Sequence, residues 1–144
     1  MLPPNGSRRS GGRRVPEANV EAQQKFEDAF RRGDWDAVAM TIDPDIAVRT
    51  DPRWPEQRFY GREAWVAFLR GTWEAWGPDN RVEEVIDLGD RLLTRSCWSI
   101  RGQHSGLAGE FRFSAITTYR DARSVFIEFF IEHEEALKAV GLTG

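Results

Sequence analysis

The stretch Glu110–Tyr119, EFRFSAITTY, alternates without a break. Phe111, Phe113, Ala115, Thr117 and Tyr119 share one phase, and Arg112, Ser114, Ile116 and Thr118 share the other. A period of two marks a strand whose two faces meet different surroundings. The ring-bearing phase belongs against a core or a cavity. The other phase is small and mixed, a surface suited to flat packing.

The same period extends outward from this strand. Arg81–Leu88 and Leu92–Arg101 read as two strands, the second with Leu92, Trp98 and Ile100 in phase. Val125–Ile131 reads as a last strand, with Ile127, Phe129 and Ile131 in phase. LGD at residues 88–90, the glycine-rich GQHSGLAG at 102–109 and RDAR at 120–123 are the turns between them.

Before residue 81 the period is different. Val20, Phe26, Ala29 and Phe30 fall near one face of a helix over Ala18–Arg32, and Gly33 ends it. Asp34 is placed to cap a second short helix carrying Trp35, Val38 and Ile42, which DPD at residues 43–45 breaks. Ile46–Thr50 reads as a short strand and residues 51–60 as a loop with two prolines. Gly61–Trp76 is a third helix, whose Trp65, Phe68, Leu69, Trp73 and Trp76 make a core stripe. EHEEALKAVG at residues 132–141 closes the chain as a short helix.

Helices segregated from a run of antiparallel strands give an α+β fold. The expected form is a curved antiparallel sheet with the three helices of the N-terminal half on its concave side. They enclose a cone-shaped pocket. The convex face then needs a cover, most simply a second copy of the chain.

Composition narrows the function classes. A chain of 144 residues fits one domain and can bury a core without disulfides or metals. Six Trp and nine Phe must be buried or must line a cavity. Residues 1–17 are rich in Pro, Gly, Ser and Arg and read as a disordered basic tail ahead of a domain over 18–144. The first sixteen residues hold four arginines and no acid, whereas the remainder holds 16 basic and 23 acidic residues. An acidic folded part argues against a nucleic-acid surface. No apolar run approaches membrane-spanning length, and no apolar core follows the basic leader as in a secretory signal. The lone Cys97 suits a reducing, cytoplasmic compartment and reads as a small buried side chain. His104 and His133 lack companions at ligand spacing, and no phosphate-cradling glycine loop opens a helix. Neither a metal nor another cofactor is expected.

Several segments together resemble a known family. They are RRGDWDAVAMTI (31–42), DPDIAVRTDP (43–52), FYGREAWVAFL (59–69), VIDLGDRLLT (85–94), RGQHSG (101–106), TTYRDARSVFIEFF (117–130) and EEALKAVGL (134–142). The pattern is similar to the SnoaL-like polyketide-cyclase group of the nuclear-transport-factor-2-like superfamily, from about Val20 to Leu142. The resemblance implies a cone-shaped α+β fold, a deep pocket and usually a homodimer. It leaves function open, since the superfamily holds ketosteroid isomerases, epoxide hydrolases, polyketide cyclases, dehydratases and non-catalytic members.

Isomerase-type members of that superfamily use three positions. A first-helix tyrosine and a mid-strand acid stabilise the oxyanion, and an aspartate before a proline is the base. Here those positions hold Phe26, Ala115 and Asp51. Two of the three lack the donor the chemistry needs. Asp51 itself admits two readings, a pocket carboxylate or a turn residue bonded to nearby backbone N–H groups. Strand parity sets Arg49 on its side, and Tyr60 offers a substitute phenol donor near the mouth. Glu132, where relatives carry an aspartate, reads first as a carboxylate at a helix N-terminus.

The expected ligand wall is Phe26, Phe30, Trp98, Phe113 and Phe129, with Ala115 and Thr117 on the inward face. Asp51, Arg49 and Tyr60 are the candidate catalytic groups. Two functions stay open. One is acid–base chemistry, of isomerase, cyclase or hydratase type, on a hydrophobic ring or polyketide-like substrate. The other is a non-catalytic dimeric domain that binds a ligand or a protein.

Overall fold

Six strands form one sheet in the order β2-β1-β6-β5-β4-β3. The structure, a computed structural model, describes residues 15–101 and 108–142. His104, most of the glycine-rich turn around it and all but the end of the basic leader lie outside the described residues. Along the chain come α1 (Val15–Arg32), α2 (Trp35–Met40), β1 (Ile42–Arg49), β2 (Arg58–Tyr60) and α3 (Arg62–Trp76). Then follow β3 (Asn80–Asp87), β4 (Arg91–Arg101), β5 (Ala108–Arg120), β6 (Arg123–Phe130) and α4 (His133–Ala139). The fold is α+β, a curved and unclosed sheet with helices across its concave face and a short helix at its C-terminal end.

The alternating stretch is the middle of the sheet. β5 is its longest strand, 13 residues, and lies between β4 and β6 in antiparallel register. Phe113, Ala115, Thr117 and Tyr119 are buried on the inner side, and Ser114 and Ile116 are buried on the outer side. Both faces of β5 are therefore covered within one chain. The outer cover is α4. Its Ala136 packs with Leu93 and Ile116, and Leu137, Val140 and Phe130 close around them. Ser114 Oγ lies 2.7 Å from Nδ1 of His133, at the first turn of α4. The outer strip expected to be free for a second copy is thus occupied at its middle by the chain's own last helix.

The strands of the N-terminal half differ from their expected form in two places. β1 begins at Ile42, four residues earlier than the periodicity indicates, because a register shift between Ile42 and Ala47 breaks its alternation. It runs parallel to β6, while every other strand pair is antiparallel. β2 lies inside the expected loop. Its three residues pair with Ala47, Val48 and Arg49, too short a run to show a period.

The helices are held by local chemistry legible in their ends. Gly33 adopts φ +70 and stops α1, and Asp34 Oδ1 accepts from the N–H of Ala37 at 3.1 Å to cap α2. α1 begins at Val15, three residues before the expected start. Buried Asn19 donates from Nδ2 to the carbonyl of Gly89 at 3.1 Å, tying α1 to the β3–β4 turn. Trp65 and Leu69 of α3 are buried against the sheet, and Trp73 stacks edge-on against Trp35 of α2 at 5.8 Å.

Candidate functional site

Between α1, α3 and the inner face of the sheet lies a cavity of about 540 Å³. Its floor explains why it is there. Register sets Thr94 opposite Ala115 and Ser96 opposite Phe113, with Thr117 one inward step further along β5. These small inward residues leave the middle of the floor low. Large rings at those positions would have filled the space. The surrounding walls are tall. Phe26 and Phe30 of α1, Trp98 of β4, Phe113 of β5 and Phe129 of β6 all line it. Trp54, from the turn after β1, packs on Phe111 at 5.9 Å and on Phe129 at 5.4 Å and adds to the wall.

The seven expected ligand-wall positions therefore lie together. Asp51, Arg49 and Tyr60 are not among the residues that line the cavity. Tyr60 is 69% exposed and pairs with Ala47 on the outer side of the sheet edge. Arg49 sits on that side too and forms an ion pair with Glu128 of β6. Parity does not carry Asp51 along with Arg49, because β1 ends at Arg49 and the chain then turns.

Asp51 is 1% exposed and fully engaged. Its Oδ1 accepts from the backbone N–H of Arg53 at 3.0 Å and from Arg53 Nε at 2.7 Å. Its Oδ2 accepts from Arg53 Nη2 at 2.7 Å and from the N–H of Ile131 at 2.8 Å. The bidentate guanidinium first, and then the two backbone donors, outweigh burial and hold its pKa down to about 2. A carboxylate so stabilised is a poor proton acceptor. It fastens the 51–57 turn to the end of β6. Arg53 reaches on to Glu135 Oε1 of α4 at 2.8 Å.

The polar groups inside the cavity come from elsewhere. Tyr119 donates from its phenol to Gln23 Oε1 at 3.0 Å, and Gln23 donates from Nε2 to Glu27 Oε2 at 3.2 Å. All three line the cavity. This chain of bonds has one direction, because an ionised carboxylate only accepts. Burial pushes the Glu27 carboxyl above its usual range, the Gln23 bond and nearby Arg31 pull it partly back, and Asp28 pushes it up. Burial, and then the charge of Glu27, push the Tyr119 phenol well up, so it stays protonated and donating. A second polar feature is Trp65. Its ring is 2% exposed in the cavity wall, and its Nε1 is buried with no hydrogen-bond partner. Asn80 Oδ1, on the same cavity, is likewise without a partner.

Sequence reasoning missed Glu27 and Gln23 because an i, i+4 polar pair reads as a solvated helix face. The available signal was their adjacency to Phe26, which sets them on the same side of α1. Tyr119 shares the inward phase of β5, where its spacing alone reads as one more core ring. Among the described residues, no group of three His, Cys, Asp or Glu side chains is placed to hold a metal ion.

Residues 23–127 match the model of the SnoaL-like domain. The chain belongs to the SnoaL-like family. The span takes in most of α1, the whole cavity floor and the sheet as far as Ile127 of β6. Solved structures agree on the fold. A protein described as a SnoaL-like polyketide cyclase from Jannaschia sp. CCS1 superposes with a TM-score of 0.72 at 17% identity, covering 94% of this chain and 100% of that one. An NTF2-like protein from Burkholderia xenovorans LB400 gives 0.67 at 21% identity, covering 79% and 88%. TerC, co-crystallised with polyporic acid, gives 0.67 at 19% identity, covering 84% and 96%. No curated protein matches the sequence. In this SnoaL-like chain no helix among the described residues is long and apolar enough to cross a membrane.

Proposed function

We propose that this SnoaL-like domain encloses a mostly apolar small molecule, ring-shaped or polyketide-like, that carries a hydrogen-bond acceptor. It performs acid–base chemistry of isomerase, cyclase or hydratase type on that molecule. The observation that carries the reading is the cavity itself, whose aromatic walls stand over a low floor carrying the hydroxyls of Thr94, Ser96 and Thr117. A ligand carbonyl or ether oxygen accepts from these hydroxyls while its apolar part meets the rings of the wall. The volume lies within the usual range for small-molecule sites. TerC, which shares the fold, is co-crystallised with a small molecule, polyporic acid.

The test is a tryptophan-fluorescence titration with flat ring ketones and with hydrocarbons of the same shape. Thr117→Val keeps the shape of the side chain and removes the hydroxyl donor. It is expected to weaken ketone binding by about 3- to 10-fold, in line with one hydrogen bond, and to leave hydrocarbon binding unchanged. Equal loss for both ligand types would overturn the reading.

The three positions of the isomerase pattern support a second reading, a non-catalytic domain that holds a ligand or a protein. Phe26 and Ala115 have no donor, and Asp51 is spent on its turn. Steroid isomerisation by that arrangement is therefore not expected. We also propose a homodimer through the part of the outer sheet face that α4 leaves open, and a reducing, cytoplasmic setting consistent with buried, unpaired Cys97.

A further inference from the structure

We propose that Glu27 is the proton-transfer residue of the cavity, held in position by Gln23 and through it by Tyr119, and that it acts on the carbon next to the carbonyl of an enolisable, mostly apolar ring ketone. The inference rests on the ring-binding reading above and adds the reacting group to it.

Three observations converge on this assignment. Glu27, unlike Asp51, lines the cavity. Among the described residues it forms no ion pair, and its one side-chain partner, Gln23, is neutral. Its aim is set from the sheet, since the phenol of Tyr119 on β5 holds the amide of Gln23 at 3.0 Å. A carboxylate in apolar surroundings binds protons more readily than one in water, which is what a base acting on a weak carbon acid needs.

The step balances without a cofactor. The Glu27 carboxylate takes the proton from the carbon, the C–H electron pair becomes the new C=C bond, and the carbonyl π pair moves to oxygen. The neutral Glu27 carboxyl then returns a proton to the same carbon or to a conjugated one. The hydroxyls of Thr94, Ser96 and Thr117 are donors on this cavity that an enolate oxygen can use. The charged and titratable groups acting on Glu27 are Arg31 and Asp28 from its own helix and the Tyr119 phenol from β5.

The experiment uses the full chain and 2-tetralone as the probe. Exchange of its α-protons in D₂O is followed by proton NMR, and its binding by tryptophan fluorescence. Wild type is expected to accelerate exchange, with a rate that rises with pH through a midpoint above the ordinary Glu range. Glu27→Gln is expected to bind tetralone as before and to lose exchange by roughly a hundredfold or more. Gln23→Met removes the bond that pulls the Glu27 carboxyl down and is expected to move the pH midpoint upward, which a merely structural role does not do. Tetralone bound without accelerated exchange, or exchange surviving in Glu27→Gln, overturns the assignment and leaves the ring-binding reading intact. Failure of wild type to bind tetralone overturns both.

Discussion

The guanidinium of Arg53 grips the carboxylate of Asp51 through two nitrogens, Nε and Nη2, each at 2.7 Å. The two residues are only two positions apart, so the pair closes a turn rather than joining distant elements. The distant connections are the remaining bonds. Asp51 accepts from Ile131 at the end of β6, and Arg53 reaches Glu135 in α4. The turn that carries Trp54 into the cavity wall is thereby fixed to the same strand end that launches α4.

Asp51→Asn is expected to destabilise the fold by roughly 1–2 kcal/mol at neutral pH, the exposed half of Arg53 limiting the effect through solvent screening. The folded-state pKa of Asp51 lies near 2, below its ordinary value of 3.8. Its contribution is therefore complete above the ordinary value and fades as pH falls from there toward 2. Urea unfolding of wild type and Asp51→Asn at pH 7 and at about pH 2.5 checks this. The stability gap should narrow on acidification, and a constant gap would show that charge is not the source.

The alternation of residues 110–119 was legible because β5 is long and differently surrounded on its two sides. What covered the outer side was not legible. The short helix after Phe130 carries Ala136, Leu137 and Val140, and nothing in that spacing tells which face of the sheet they meet. Strand parity offers Asp51 the wrong partner, Arg49, since parity holds only inside a strand and β1 stops at Arg49. Glu27 was hidden for a different reason. A glutamate next to Phe26 on an amphipathic helix looks like solvated surface until the fold shows that α1 roofs a cavity rather than a filled core.

Ala115 and Ile116 are neighbours in sequence with opposite surroundings, and they separate binding from stability. Ala115→Leu projects into open cavity above the low floor. It is expected to leave the melting temperature within a few degrees of wild type and to weaken ring-ketone binding at least about tenfold. Ile116→Ala empties a site 1% exposed beneath α4 and should cost about 2–4 kcal/mol while ligand affinity of the folded protein is kept. Thermal melts paired with fluorescence titrations on both variants check the division.

The outer face left open by α4 contains an in-register row: Tyr60, Ala47, Phe126 and Thr118. Tyr60 is 69% exposed on this row and offers its ring to a partner. Light scattering is expected to give twice the chain mass, and Phe126→Glu, which sets a charge in the middle of the row, is expected to halve it. A wild-type monomer at micromolar concentration would end this reading. A dimer unaffected by Phe126→Glu would move the interface elsewhere.

The corner between α1 and α2 fixes how α1 lies over the sheet, and hence where Glu27 stands. Gly33 makes that corner with φ +70, a conformation that costs an L side chain about 1–2 kcal/mol. A Cβ there would also stand 3.0 Å from Cζ2 of Trp73 and 3.2 Å from its Cη2. The Trp73 ring has little freedom to retreat, because it packs edge-on against Trp35, which is itself edge-on against Phe30 at 5.7 Å. Gly33→Ala is therefore expected to cost more than the backbone alone, about 2–4 kcal/mol in all. Trp73→Phe shrinks the ring at the point of contact. Paired with Gly33→Ala, it should recover the steric part and leave the backbone part, so the double variant will be more stable than the two single losses summed. Urea unfolding of the four proteins in the cycle gives the coupling. Strict additivity would show that Trp73 does move aside and that the left-handed backbone is the whole cost.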